Sequence, residues 1–210
     1  MDLCLIFLGC VLILLVVYMV LELHYYARSL ICLIMAKLKK RVHILDETRM
    51  YGICLSTDVD NLLDHMNNAR FIRELDFAKI DFNVRTGLYG KIRQHGGSVL
   101  LAATTVRYRR LIKIFRRYYI TTKIIYWDDQ NIYMEHRFVT PGDNFINAIV
   151  MCKARLTKCN AEEIMKDLLV KNPDCDVEIA KRQKPELPLE LGKWIESNEI
   201  SSTKLRSNVV

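Results

Sequence analysis

From Leu3 to Leu23 the chain is built of Leu, Ile, Val and Cys with few interruptions, and its one charged residue is Glu22, near the end. As a helix this run is about 31 Å long at ~1.5 Å per residue, enough to cross the hydrocarbon core of a bilayer. It cannot share a water-soluble core with the rest of the chain, so the first forty or so residues are set apart from any globular body. Two readings are open: a retained signal-anchor over residues 1–24, or a signal peptide that is cleaved and leaves a secreted protein. Three features favour the anchor. Met1-Asp2 offers no Lys or Arg, the run exceeds the roughly 7–15 residues of a signal core, and Glu22, His24, Tyr25, Tyr26 and Arg28 follow where a small-residue cleavage site would stand. Arg28, Lys37, Lys39, Lys40 and Arg41 all lie after the span and Asp2 before it, which points the remainder of the chain to the cytosol. Residues 25–48 read as a basic juxtamembrane linker. Within it Ser29 to Met35 is apolar but too short to span, so it lies in the membrane interface or packs on the domain.

Cysteine usage agrees with that compartment. The seven cysteines form no CxxC pair and no Cys/His spacing of a zinc site, which argues against a disulfide or metal framework. The net charge of +7 is concentrated in the middle: between Asp81 and Asp128 there are ten Lys or Arg and no carboxylate. A nucleic acid, an anionic membrane surface or a phosphate-bearing ligand could use such a stretch. No nucleic-acid-binding motif accompanies it, so nucleic acid is not an expected partner.

Past a linker at Asp46 to Tyr51, the apolar residues Ala69, Ile72, Leu75, Ala78 and Phe82 recur at helical spacing. Phe71, Phe77 and Ile80 broaden the face, which predicts a helix buried on more than one side and ended by Gly87 and Gly90. From Ser98 the period changes to that of strands. The expected strands are Val99 to Ile114, Tyr118 to Trp127, Ile132 to Val139 and Phe145 to Leu156, with turns at Asp128–Asn131 and Pro141–Asn144. Asn160 caps a short helix, Ala161 to Val170. One long helix followed by antiparallel strands is an α+β arrangement. The tail from Asn172 carries prolines, yet Leu187, Leu189, Leu191, Trp194 and Ile195 would be wasted on disorder. It reads as an arm, residues 172–210, that packs on the domain and frays from Ser207 to Val210.

Just before the long helix lie Asp58, Asp60, Asp64, His65, Asn67 and Asn68. A helix cap needs one Asn or Asp, and this cluster has more. One reading is a solvated turn that caps the helix electrostatically. The other sets acid/base groups beside backbone N–H groups that can hold an oxygen gaining negative charge. His65 is a structural histidine or a base; Asn67 and Asn68 are cap residues that could also present amides. Arg107, Arg109 and Arg110 are either the polar outer side of a strand or ligands for phosphate.

The order and residues resemble a known family. Asp58-Val59-Asp60, then His65-Met66-Asn67-Asn68-Ala69-Arg70 with Glu74-Leu75-Asp76-Phe77-Ala78, is similar to the hotdog-fold acyl-CoA thioesterases of the 4-hydroxybenzoyl-CoA type. With Arg107-Tyr108-Arg109-Arg110, Trp127-Asp128-Asp129, Glu135-His136-Arg137-Phe138-Val139 and the tail's Pro185–Pro188, Trp194-Ile195 and Asn198–Ser202, it resembles one branch, the thioesterase superfamily member six family, from about Ser56 to Arg206. The resemblance implies a hotdog domain over residues 49–171, a curved antiparallel sheet around the central helix, and homodimers with sites at the subunit interface. It implies hydrolysis of fatty acyl-CoA, with a catalytically inactive acyl-CoA or lipid-binding scaffold as the alternative. Asp60 is the first candidate for nucleophile or general base, with Asp64 and His65 beside it. The amides around Asn68 and Ala69, next to Asn67, are the candidate oxyanion donors, and Arg107, Arg109 and Arg110 the candidates for coenzyme A phosphates. No cofactor or metal is expected beyond the coenzyme A of the substrate. The span's moderate length and the family's likeness point to the endoplasmic reticulum membrane.

Overall fold

In the computed structural model, which describes residues 2–60, 64–170 and 183–207, the apolar N-terminal run forms a single helix, α1 (Asp2–Val20). Its Leu3–Val20 portion is long and apolar enough to cross a membrane, and none of it is buried within the protein; a signal sequence would meet the same description. Glu22 takes a left-handed conformation, φ 48°, and breaks the chain between α1 and α2 (Leu23–Leu38). The residues read as a linker therefore contain a helix. Its inward positions Tyr25, Arg28, Ser29, Cys32, Leu33 and Ala36 recur three and four apart and are at least partly buried.

Those positions meet α3 (Asn68–Thr86), the long helix expected from the sequence. Its other side packs on a five-stranded sheet of β1 (Thr48–Ile53), β2 (Ser98–Tyr108), β3 (Arg117–Trp127), β4 (Asn131–Thr140) and β5 (Phe145–Thr157). The strand order is β1-β3-β4-β5-β2, and every neighbouring pair is antiparallel. Phe71, Leu75 and Ala78 of α3 share one core with Tyr118, Ile120, Phe138 and Val150 of the sheet. A second core joins Phe82 to Trp127, Ile132 and Leu156 and to α4 (Leu88–Gln94) and α5 (Ala161–Val170). Helix α3 is thus covered on both sides, as the breadth of its apolar face predicts. The C-terminal α6 (Leu189–Ser207) buries Leu191 completely. The expected frayed end beyond Ser207, and the proline-bearing start of the tail around Pro173, lie outside the described residues.

Three boundaries differ from the sequence reading. Gly87 ends α3 in a left-handed conformation, φ 77°, but Gly90 lies inside α4 rather than at a helix end. The segment read as a linker at Asp46 to Tyr51 enters a strand, β1, whose Thr48 to Ile53 pair with β3. Strand β2 stops at Tyr108, not Ile114: the Asn147 carbonyl accepts from both the Arg109 and Arg110 amides, and the chain leaves the sheet. It then folds toward the cluster before α3, where Met66 N–H donates to the Ile112 carbonyl at 2.8 Å.

Candidate active site

The cluster before α3 is held as a narrow two-stranded ladder. Asn67 N–H donates to the Asp58 carbonyl at 2.8 Å, Val59 bridges Met66, and Asp60 N–H donates to the His65 carbonyl at 3.0 Å. Residues 61–63, between the two arms, lie outside the described residues. Residues 64 and 65 are held by the loop after β2, through a bridge between His65 and Lys113 and through Ile114 N–H donating to the Asp64 carbonyl.

This ladder separates the three carboxylates. Asp58 is 3 % exposed; its Oδ2 accepts from Leu55 N–H at 2.9 Å and its Oδ1 lies 2.8 Å from Arg70 Nη2. It pins the turn to the first turn of α3, a structural duty. Asp64 is the outer carboxylate, with 57 % of its side chain exposed and Oδ2 3.8 Å from His65 Nδ1. Asp60 lies between these extremes. Its side chain is 17 % exposed, Oδ2 is 3.5 Å from His65 Nε2, and the buried Oδ1 has no hydrogen-bond partner among the described residues. A carboxylate oxygen that is desolvated yet unpartnered is costly, which favours a ligand or water placed against it.

At the start of α3, Asn67 is the N-cap, and its Oδ1 accepts from Ala69 N–H at 2.9 Å. Arg70 N–H donates to the Asn67 carbonyl at 2.9 Å. Of the amides expected to face a ligand, Ala69's is therefore already engaged, and Asn68's N–H has no acceptor among the described residues. Asp60 lies two ladder positions from Asp58, which pairs with Asn67, so the carboxylate's backbone is roughly 7 Å along the ladder from the helix start. The Tyr108 hydroxyl donates to the Asn68 carbonyl at 2.9 Å, with its ring edge-on to Phe71. Burial pushes that phenol above its ordinary pKa and keeps it a donor. Tyr108 and Arg70 belong to motifs noted in the sequence, but nothing in the sequence marked either as a support of the cluster.

The arginines are placed differently from one another. Arg107 alternates with Tyr108 along β2 and lines a surface cavity of about 330 Å³ with Thr105, Glu135 and Arg137. Arg109 lies over the Phe145 ring and near the Ile146 carbonyl; Arg110 stacks on the same ring and its Nη2 is 2.6 Å from Asp143 Oδ2. Arg109 and Arg110 are thus gathered at the β4–β5 turn. Further cavities border α3, two of them along its length. One, an open groove of about 490 Å³, is lined by Ala69, Arg70, Ile72, Arg73 and Asp76 with Glu22 and Tyr25. The other, about 120 Å³ and mostly apolar, lies between α3, α4 and the sheet and is lined by Leu88, Tyr89, Val99, Leu101 and Met134 among others.

Comparison with known proteins gives a consistent result. The sequence model of the thioesterase-like superfamily matches residues 54–195. A Drosophila melanogaster protein named Protein THEM6 is 42 % identical over 197 residues, covering 93 % of this chain and 97 % of that one. Among solved structures, the probable thioesterase YbaW from Escherichia coli superposes with a TM-score of 0.52 at 15 % identity, covering 59 % of this chain and 95 % of that one. A 1,4-dihydroxy-2-naphthoyl-CoA thioesterase from Synechocystis superposes with a TM-score of 0.50 at 10 % identity, covering 59 % and 98 %. At such identities the structural likenesses establish the hotdog fold and no more.

Proposed function

The chain belongs to the thioesterase-like superfamily, and on that premise we propose that it is a membrane-anchored hydrolase of fatty acyl-CoA thioesters. The observation that carries the reading is the largely sheltered Asp60, on the ladder that leads into α3, with no partner for Oδ1 among the described residues and His65 3.5 Å from Oδ2. In the proposed reaction the thioester carbonyl oxygen rests on the Asn68 amide, where the helix terminus stabilises charge gained on attack. Asp60 either takes a proton from water as it adds to the carbonyl carbon, or adds itself. In the first route the tetrahedral intermediate collapses to the fatty acid and expels coenzyme A as thiolate. In the second a mixed anhydride forms as the thiolate leaves, and water then hydrolyses it. His65 holds the carboxylate, and Asp64 adds negative potential at the rim. Arg107, Arg109 and Arg110 would hold the coenzyme A phosphates, with Arg110 exchanging Asp143 for the ligand.

The anchor is α1, in the endoplasmic reticulum membrane with the domain on the cytosolic side. Added protease should digest the domain in intact microsomes; full protection would place it in the lumen. For catalysis, full-length protein in vesicles is assayed on acyl-CoAs of varied chain length. Asp60→Asn should lower kcat by about 100-fold or more. Equal rates in mutant and parent would remove Asp60 from the chemistry. A second reading, an inactive binder of acyl-CoA or lipid, draws on the Ala69 amide being already capped. Saturable acyl-CoA binding with no turnover on any chain length would establish it instead.

A further inference from the structure

We propose that α2 lies in the membrane–water interface, with its outer face in the lipid and its inner face clamped to α3. This rests on the reading of α1 as a membrane anchor. The inner face is fixed by polar contacts along its whole length. The Tyr25 hydroxyl donates to Asp76 at 3.0 Å, Arg28 reaches both oxygens of the buried Glu74 at 2.5 Å, and Lys39, just past the helix, donates to the buried Asp81 at 2.6 Å. Glu22, just ahead of it, pairs with Arg73. The helix therefore cannot roll without breaking these pairs.

The outer face carries Tyr26, Leu30, Ile31, Ile34, Met35 and Leu38, each at least half exposed. Their spacing of three and four makes one apolar stripe down a helix about 24 Å long. A contiguous patch of that kind on a soluble surface calls for a partner.

The chain itself supplies one partner directly. Only Leu21 and Glu22 separate α1 from α2, and the three steps from Val20 to Leu23 span at most roughly 11 Å at ~3.6 Å each. A chain leaving the bilayer at Val20 begins α2 at its surface. At the far end Lys37 lies in the last turn and Lys40 and Arg41 follow the stripe, and Arg41 lines a cavity of about 380 Å³ with Arg85 and Lys91. An apolar stripe ending in cations matches an interfacial helix on an anionic leaflet. The open groove at Ala69, Ile72 and Arg73 shares Glu22 and Tyr25 with this junction, so the start of α3 sits close to the lipid surface.

The test uses the full chain in vesicles of phosphatidylcholine and phosphatidylserine, with Leu12, Leu30 or Ile34 replaced singly by a diazirine amino acid. All three positions are exposed, so the replacements do not touch the core. After irradiation, lipid adducts at Leu30 and Ile34 are expected, as at Leu12. Adducts to a second copy, or only quenching by water, at Leu30 and Ile34 would overturn the proposal. Lipid at Leu12 with none at Leu30 or Ile34 overturns it while leaving the anchor intact. No lipid at Leu12 instead removes the anchor reading itself.

Discussion

Glu74 sits 1 % exposed on α3, receiving both guanidinium nitrogens of Arg28 and the Tyr118 hydroxyl at 2.8 Å. The same Arg28 stacks on Phe77, 4.0 Å from its centroid. Burial beside Glu74 drives the Tyr118 phenol well above its ordinary pKa, so it remains a donor to that carboxylate. Glu74→Ala would leave the buried Tyr118 hydroxyl and the partly buried Arg28 guanidinium without an acceptor, at a cost of about 3 kcal/mol. Arg110 and Asp143 form a similarly short pair, but both are solvent-exposed, and Arg110→Ala should cost little stability. Thermal melts of the full-length protein in detergent separate the two, with Glu74→Ala lowered by on the order of 10 °C. Similar small shifts would show that the α2–α3 clamp adds no stability. His136 makes a pH prediction. It is fully buried between sheet and helix, Nδ1 is 2.9 Å from Thr122 Oγ1, and burial, aided by the nearby Lys79, lowers its pKa to about 3. The unfolded chain takes up a proton near pH 6.5 that the folded chain refuses until about pH 3. This contribution to stability is therefore intact above pH 6.5 and lost progressively as pH falls from there toward 3, at up to about 1.4 kcal/mol per pH unit. His136→Gln should flatten that part of the stability–pH curve; an unchanged slope would assign the acid sensitivity to other groups.

Strand β1 shows why an element can be invisible in the sequence. Thr48-Arg49-Met50-Tyr51-Gly52-Ile53 lacks clean alternation of apolar and polar residues, and its first four residues fall in the segment read as a linker. The glycine is there for a packing reason: a Cβ at Gly52 would lie 2.6 Å from Tyr118 Cζ and 2.7 Å from its hydroxyl. That ring is fully buried and bound to Glu74, so it has nowhere to move. Gly52→Ala should destabilise the fold by about 1–3 kcal/mol, read as a lowered urea midpoint, and Gly52→Ala with Tyr118→Phe should recover little, because the ring itself still clashes. A midpoint equal to the parent's would mean that β1 shifts freely along the sheet edge. The end of β2 misled in the opposite sense. Ile112 continues the alternation and is indeed 2 % exposed, but it is buried by the loop folding onto Met66 rather than by the sheet. Helix α3 and strands β3 to β5 were legible because each buries a face with its own period, whereas β1 and the β2 end are set by contacts distant in sequence. The candidate site divides the same way. The crowding of Asp58, Asp60, Asp64 and His65 is plain in the sequence, but that Asp58 is committed to Leu55 and Arg70, while Asp60 Oδ1 has no partner among the described residues, emerges only from the ladder.

Among the described residues the sheet has two outer strands, β1 and β2, and the longer open edge is that of β2. Strand β2 is the outer strand on its side of the sheet and pairs only with β5. It runs for 11 residues, its one charged residue is Arg107, and Leu100 and Leu101 are 60 % and 50 % exposed. Long apolar edges without charges invite another strand, and monomeric proteins usually block them. The homodimer implied by the family resemblance would close this edge by pairing β2 with β2 of a second copy, beside the apolar cavity that Leu101 and Tyr89 help to line. The membrane anchor proposed for α1 would restrict how it can do so. Two α1 helices in one bilayer require the twofold axis to lie along the membrane normal, so that both α2 stripes meet the same leaflet. Pairing through β2, on the sheet edge opposite β1, leaves the α2 face of each copy uncovered and satisfies that requirement if the strands run parallel to the membrane plane. Introducing Leu100→Lys and Leu101→Lys together alters only exposed side chains, so each protomer should keep its melting temperature while the detergent-solubilised particle falls from two chains to one by light scattering. A double variant that keeps two chains would move the subunit contact away from β2, and with it any site shared across that edge, whereas a parent that is already a single chain would remove the dimer itself.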